Sequence, residues 1–140
     1  MSHLFGIFLF ILDSLFGSFA FILDPFIQMK LHHYNAELIR IIDGDTIDVM
    51  LDLGFYVWVK KRIRLYGIDT PETRTRDLEE KERGKAASFR LADLISSNKF
   101  TISSHGLDKY GRCLGTIFVG DENINNLLIS EGFAKEYYGK

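Results

Sequence analysis

From Ala36 onward the apolar and polar positions alternate in short runs separated by turn residues, a period of two that predicts strands. Glu37 to Ile42 and Thr46 to Leu51 flank Asp43-Gly44-Asp45, which predicts a hairpin with its glycine at positive φ. Gly54 makes the next turn. Phe55 to Tyr66 then predicts one long strand, with Val57, Val59, Ile63 and Leu65 alternating with Trp58, Lys60, Arg62 and Arg64. The phase breaks near Lys61, which predicts a bulge. A charged loop from Thr73 to Gly84 leads to a helix that starts between Leu78 and Lys85 and ends at Ser96-Ser97-Asn98, with Phe89, Leu94 and Ile95 on its apolar side. Phe100 to Ser104 and Cys113 to Val119 predict two more strands. Ile124 to Ser130 predicts a short helix stopped by Gly132, with Ile124, Leu127 and Leu128 on one face. Five strands with a helix between the third and fourth predict an α+β, mainly β, fold: a five-stranded Greek-key barrel of the OB type with a short C-terminal helix.

The first 30 residues follow another pattern. Residues 4 to 23 are apolar or small apart from Asp13, rich in Phe, and followed by Asp24-Pro25. A separate apolar helix of about 20 residues suffices to cross a hydrocarbon core. Three readings stand open: a membrane anchor, a cleaved signal peptide, or a mis-called start with Met29 as the true initiator. Asp13 opposes insertion by ~2.5–3.5 kcal/mol, and the lack of Lys or Arg before Lys30 argues against export. The expected division is therefore residues 1–30 as this segment and 31–140 as the functional domain. The preferred location is membrane association through residues 4–23 with the domain on the cytoplasmic side, against secreted or soluble cytoplasmic alternatives. His32-His33 read as linker residues, since neighbours on a strand or helix do not face one metal.

Composition adds limits. An apolar fraction of 46% in 140 residues fills one core without disulfides, and the single cysteine, Cys113, reads as a small strand residue. The net charge is −2, yet all 17 Lys and Arg lie at or after Lys30, while Asp13 and Asp24 precede it, so residues 29–140 are neutral. A plain nucleic-acid binder shows a basic excess. An enzyme whose carboxylates hold a divalent cation need not.

Asp45, Asp69 and Glu72 are acidic residues at turn or strand-end positions. Oxygen ligands of this kind suit Ca2+ or Mg2+, and no Cys or His cluster offers a softer site. Asp43-x-Asp45 lacks the glycine and the terminal acid of an EF-hand loop. Arg64 precedes Asp69 by five residues, ~16 Å on a straight strand, so a bend around Tyr66-Gly67 is required to unite them. Arg112 follows Lys109 and Tyr110 in the turn between the last two strands. Guanidinium groups grip phosphate oxygens bidentately, and with a metal they stabilise charge building on a phosphodiester. Glu72 is placed to activate water.

Ile42-Asp43-Gly44-Asp45-Thr46, Arg64-Leu65-Tyr66-Gly67-Ile68-Asp69-Thr70-Pro71-Glu72 and Asp108-Lys109-Tyr110-Gly111-Arg112 together resemble the three signature blocks of the staphylococcal (thermonuclease-like) nuclease family. The likeness covers roughly residues 36 to 138. It implies a calcium-dependent phosphodiesterase acting on DNA and RNA and leaving a 3′-phosphate; separately, the chain is expected to work as a monomer. By the same resemblance Asp45 and Asp69 are calcium carboxylates, the Thr70 carbonyl is a further ligand, and Glu72 is the proposed base. Arg64 and Arg112 are the catalytic arginines. Lys109 and Tyr110 hold a neighbouring phosphate, and Tyr138 lies beside the bound base. Two departures stand out: Gly84-Lys85-Ala86-Ala87 where many relatives have Gly-x-Glu-Ala, and the lack of a further C-terminal helix. The alternative is an OB-fold module that binds nucleic acid or a membrane-bound partner without cutting, which has little need for Asp45, Asp69, Glu72, Arg64 and Arg112 together.

Overall fold

A computed structural model describes residues 32–139. The apolar stretch 4–23, with the anchor, signal and start-site readings attached to it, lies outside the described residues. Among the described residues no helix is long and apolar enough to cross a membrane.

β1 (His33–Asp43) and β2 (Thr46–Asp52) form the expected hairpin around the two-residue turn Gly44-Asp45. Gly44 is absent from the positive-φ glycines, contrary to expectation. A Cβ there would lie 2.7 Å from the Ala87 Cβ, so the turn needs glycine for its close approach to a helix. His33 opens β1, where its ring lies 5.7 Å from that of Phe118, so it is a strand residue and not linker.

β3 (Trp58–Leu65) pairs with β2 in unbroken register from Thr46↔Arg64 to Asp52↔Trp58, and the bulge expected near Lys61 is absent. β3 also starts later than the alternation suggests, because Phe55 and Tyr56 take φ of 52° and 60° and belong to the hairpin tip. After the two-residue β4 (Ile68–Asp69) and α1 (Leu78–Ile95), the chain returns as β5 (Phe100–Leu107) and β6 (Cys113–Val119). The long strands run in the order β3-β2-β1-β5-β6, and β3 pairs parallel with β6 to close the barrel. That closure spans Ile63↔Cys113 to Leu65↔Gly115. Lys61 has the inward parity of Ile63 and Val59 yet is exposed while both of those pack on the core, so the broken phase is one polar residue in an otherwise regular strand. The register shifts fall elsewhere, in β1 between Leu38 and Arg40 and between Ile41 and Asp43, and in the β5–β6 pair after Ser104. Gly115 permits closure: a Cβ there would lie 2.8 Å from Ile102 Cγ2 and 3.0 Å from Ile63 Cγ2.

Ile47, Val49, Ile63, Leu65, Ile102 and Ile117 fill the barrel from alternate strand positions. α1 closes one end. Asp77 caps it by accepting from the Glu79 and Glu80 N–H groups, and those two acids in the first turn suit the helix dipole. Its buried face is Gly84, Ala87, Leu91 and Ile95. Phe89 is 73% exposed, which corrects the expectation that it faced the core. The size of a side chain misleads here, because small residues let α1 lie against the Gly44 turn. The Cys113 side chain packs against the core, as expected of a strand residue. β7 (Glu122–Asn123) leads into α2 (Ile124–Ser130), capped by Asn123, and Gly132 follows it at φ 82°. Ile124 and Leu128 are buried and Leu127 packs beside them, as the spacing predicted. The tail returns as β8 (Lys135–Glu136), paired with β4.

Candidate functional site

Arg64 is the penultimate residue of β3, and beyond it the chain turns at Tyr66-Gly67, with Gly67 at φ 78°. That turn carries the next residues back past the Arg64 side chain. Nη1 donates to the carbonyl oxygens of Leu65 at 3.1 Å and Ile68 at 2.8 Å. Nη2 lies 3.3 Å from both Asp45 Oδ2 and Asp69 Oδ1. The bend that the spacing required is therefore present.

The surroundings fix this turn. Leu65 N–H donates to the Asp45 carbonyl at 2.8 Å and Tyr66 N–H to the Gly115 carbonyl at 2.8 Å. The buried Asn125 amide donates to the carbonyls of Tyr66 at 2.9 Å and Gly115 at 3.1 Å, and accepts from the Ile117 N–H at 3.1 Å. Sequence reading missed Asn125, because an Asn-Asn pair in a short amphipathic helix looks like a solvent face. A Cβ on Gly67 would lie 2.9 Å from Tyr138 Cε1, so this glycine serves both its φ and its neighbour.

Asp45 is buried in the hairpin turn, accepting from the Thr70 N–H and from Thr46 Oγ1, each at 3.0 Å. Since Asp45 Oδ2 and Asp69 Oδ1 share one guanidinium nitrogen, they lie no more than twice 3.3 Å apart. Thr70 is buried, and among the described residues its Oγ1 is the one buried side-chain polar atom with no hydrogen-bond partner. Glu72 is exposed, on a loop whose Pro71 and Glu72 carbonyl oxygens would each lie 2.7 Å from a Cβ on Gly84. Among the described residues no three His, Cys, Asp or Glu side chains cluster as a metal site. The convergent acids are two, Asp45 and Asp69.

Arg112 faces them from the β5–β6 turn in a different setting. Its Nε donates to Asp108 Oδ2 at 2.5 Å, and its side chain is 53% exposed. Asp108 organises the turn, accepting also from the N–H groups of Tyr110 at 2.9 Å and Arg112 at 2.8 Å. Burial pushes the Asp108 carboxyl up, but the Arg112 N–H and guanidinium and the Tyr110 N–H outweigh it and hold its pKa below the usual carboxylate value. Lys109 Nζ and the Arg112 guanidinium lie 5.2 and 5.5 Å from the centre of the exposed Tyr110 ring.

Two clefts meet here. One, of about 680 Å³, is lined by Asp45, Asp69, Thr70 and Glu72 together with Arg64 and Arg112. The other, of about 410 Å³, is lined by Tyr66, Lys109, Tyr110 and Tyr138, again with Arg64 and Arg112. All nine residues singled out from the sequence thus border one composite depression, with the two arginines on the shared boundary. Tyr138 stands edge-on to Tyr66 with centroids 5.5 Å apart. His105 stacks on Tyr66 at 4.0 Å and bonds Thr116 Oγ1 at 2.8 Å, and burial lowers its pKa. An isolated histidine in a strand gave no sequence signal for that position.

The rim of this OB-type barrel thus carries two carboxylates and two guanidinium groups between a polar and an aromatic cleft. The family model described as "Staphylococcal nuclease homologue" matches residues 62–140, which include every candidate residue except Asp45. The chain is 35% identical over 118 residues to "Micrococcal nuclease" of Shigella flexneri, covering 76% of this chain and 62% of that protein. It is 37% identical over 98 residues to "Thermonuclease" of Staphylococcus intermedius, 69% of this chain and 55% of that one. It is 35% identical over 107 residues to "Endonuclease YncB" of Bacillus subtilis (strain 168), 74% and 48%. The matches thus span about half to three-fifths of these relatives' lengths. The chain belongs to the staphylococcal nuclease homologue family.

Proposed function

We propose that this chain is a calcium-dependent nuclease that hydrolyses phosphodiester bonds of DNA or RNA. The observation that carries the reading is the placement of Arg64 and Arg112 on the boundary between a carboxylate cleft and an aromatic cleft. Relatives named micrococcal nuclease and thermonuclease support it.

In this reading the scissile phosphate enters at that boundary. Arg64 and Arg112 donate to its non-bridging oxygens, and charge growing there in the transition state strengthens those bonds. Arg64 is already oriented by two carbonyls and two carboxylates, whereas Arg112 exchanges some of its contact with Asp108 for the phosphate. Glu72 takes a proton from the attacking water as its oxygen bonds to phosphorus. The bond from phosphorus to the 5′-oxygen breaks, that oxygen gains a proton from solvent, and a 3′-phosphate remains. Lys109 and Tyr110 hold the neighbouring phosphate, and Tyr138 lies beside the base.

Asp45, Asp69 and the Thr70 carbonyl would hold the calcium ion. Asp45 Oδ2 and Asp69 Oδ1, each 3.3 Å from one guanidinium nitrogen, are carboxylate oxygens, a donor chemistry that fits a hard cation. When bound, such an ion supplies positive charge against the charge developing on the phosphate. The test is degradation of single-stranded DNA and RNA by the purified chain with calcium at neutral to alkaline pH. We expect fragments ending in 3′-phosphate and arrest by chelator; a folded preparation that yields no product would remove the assignment.

A further inference from the structure

β3 does more than deliver Arg64. Its outward positions are Arg64, Arg62, Lys60 and Trp58, one every ~6.6 Å along the strand, and Arg62 lines the carboxylate cleft. The row therefore starts in the candidate site and leaves it. Opposite Arg62 on the same face, Asp48 is covered by Arg62 at 2.7 Å and by Arg40 at 2.8 Å, so this trio is net positive. Lys60 faces Met50, and among the described residues neither Lys60 nor the exposed Lys61 has an ion-pair partner. The acids nearest the far end are few: Asp52 accepts from the Gly54 N–H at 2.8 Å, and Glu37 lies two strands away across Met50.

At that end the chain exposes rings. Trp58 is 41% exposed and Phe55 and Tyr56 fully so, the last two in the left-handed region that L-residues occupy at a cost. The tip is nonetheless closed by the Leu53 N–H to the Val57 carbonyl and the Val57 N–H to the Gly54 carbonyl, both at 2.9 Å. Cations spaced along an extended strand and ending on an exposed indole make a surface for a single strand, whose phosphates repeat and whose bases are free to stack. A lipid surface fits less well, since Arg62 stands ~13 Å up the strand from Trp58 and the cations line a row instead of ringing the tip.

Resting on the nuclease reading above, we propose that the outer face of β3 is a track for single-stranded nucleic acid beyond the catalytic clefts. Arg62 and Lys60 meet successive phosphates, and Trp58, with Phe55 and Tyr56 at the tip, stacks on a base.

Trp58 is the sole tryptophan of the chain, so its fluorescence reports the track directly. The full chain is titrated in chelator with a dT12 oligonucleotide, by tryptophan emission and by anisotropy of a labelled strand. Quenching of Trp58 on binding is expected. Lys60→Ala should lower the salt slope of binding by about 1. Trp58→Ala should weaken binding about tenfold without changing that slope, and Trp58→Phe should restore most of the loss. Absence of dT12 binding, or binding that leaves Trp58 emission and the Lys60→Ala slope unchanged, overturns the track; in the second case hydrolysis with calcium would leave the nuclease reading standing. Quenching with the expected slopes, in a chain that hydrolyses nothing, supports the track and removes the nuclease reading instead. Phosphatidylglycerol vesicles that shift Trp58 emission where dT12 does not would also overturn it.

Discussion

Arg64 and Arg112 border the same two clefts, yet the fold treats them differently. The Arg64 side chain is 13% exposed and meets the carbonyls of Leu65 and Ile68 and the carboxylates of Asp69 and, from the hairpin turn, Asp45. Arg112 is 53% exposed and bound to one carboxylate of its own five-residue turn. The first is held by the turn that follows it and by one carboxylate remote in the chain, the second by a local loop alone. The contrast teaches that one guanidinium is fixed on several sides while the other is free to adjust, so removing them should have different consequences for stability.

The largest expected effect is on turnover. Arg64→Ala and Arg112→Ala should each lower kcat by ~10²–10³ while preserving the circular dichroism spectrum. Arg64→Ala should also destabilise by ~1–3 kcal/mol, because Asp45 stays buried without its cation and two backbone carbonyls lose their donor, whereas Arg112→Ala, which frees only Asp108, should cost less. Equal melting temperatures for the two variants would break the contrast. Glu72→Ala is expected to join them in activity and, from its exposed position, to leave stability alone; near-normal turnover would take Glu72 out of the mechanism.

Next in size is Gly84→Ala. The added methyl meets backbone oxygens of Pro71 and Glu72, so a cost of ~1–3 kcal/mol is expected from overpacking, with activity falling as Glu72 moves. Unchanged activity in a destabilised variant would show that the loop relaxes without disturbing the base. The smallest effect concerns His105, behind the aromatic cleft. Its folded pKa lies below the unfolded value of about 6.5, so the unfolded chain binds more protons between those two values and stability rises with pH across that window. Melting temperature should therefore fall as pH drops below about 6.5, less so in His105→Gln. Identical pH profiles would assign the slope to other groups.

The existence of the long strands was legible because alternation reports burial on one face; it placed β2 and β6 at nearly their observed bounds but began β1 four residues late and ended β5 three residues short. It failed where burial and parity part company. Lys61 has inward parity but is exposed between the core-packed Val59 and Ile63, and Phe89 has the size of a core residue while Gly84 and Ala87 occupy the contact. The site residues were legible as types in short blocks, since Asp45, Asp69, Arg64 and Arg112 sit at turns or strand ends where polar chemistry stands out. Asn125 and His105 were not, because their roles come from neighbours distant in the chain.

What the sequence by itself determined is the list of elements and the chemistry on offer: carboxylates, guanidinium groups and tyrosines at turns between apolar strands. What only the tertiary structure decided is their convergence. Closure of β3 on β6 at Gly115, the turn at Gly67 and the seat of α1 on Gly44 set Arg64 between Asp45 and Asp69. The physical reason is that local pattern fixes which face of a strand is buried, while steric fit between remote segments fixes where each polar side chain ends up.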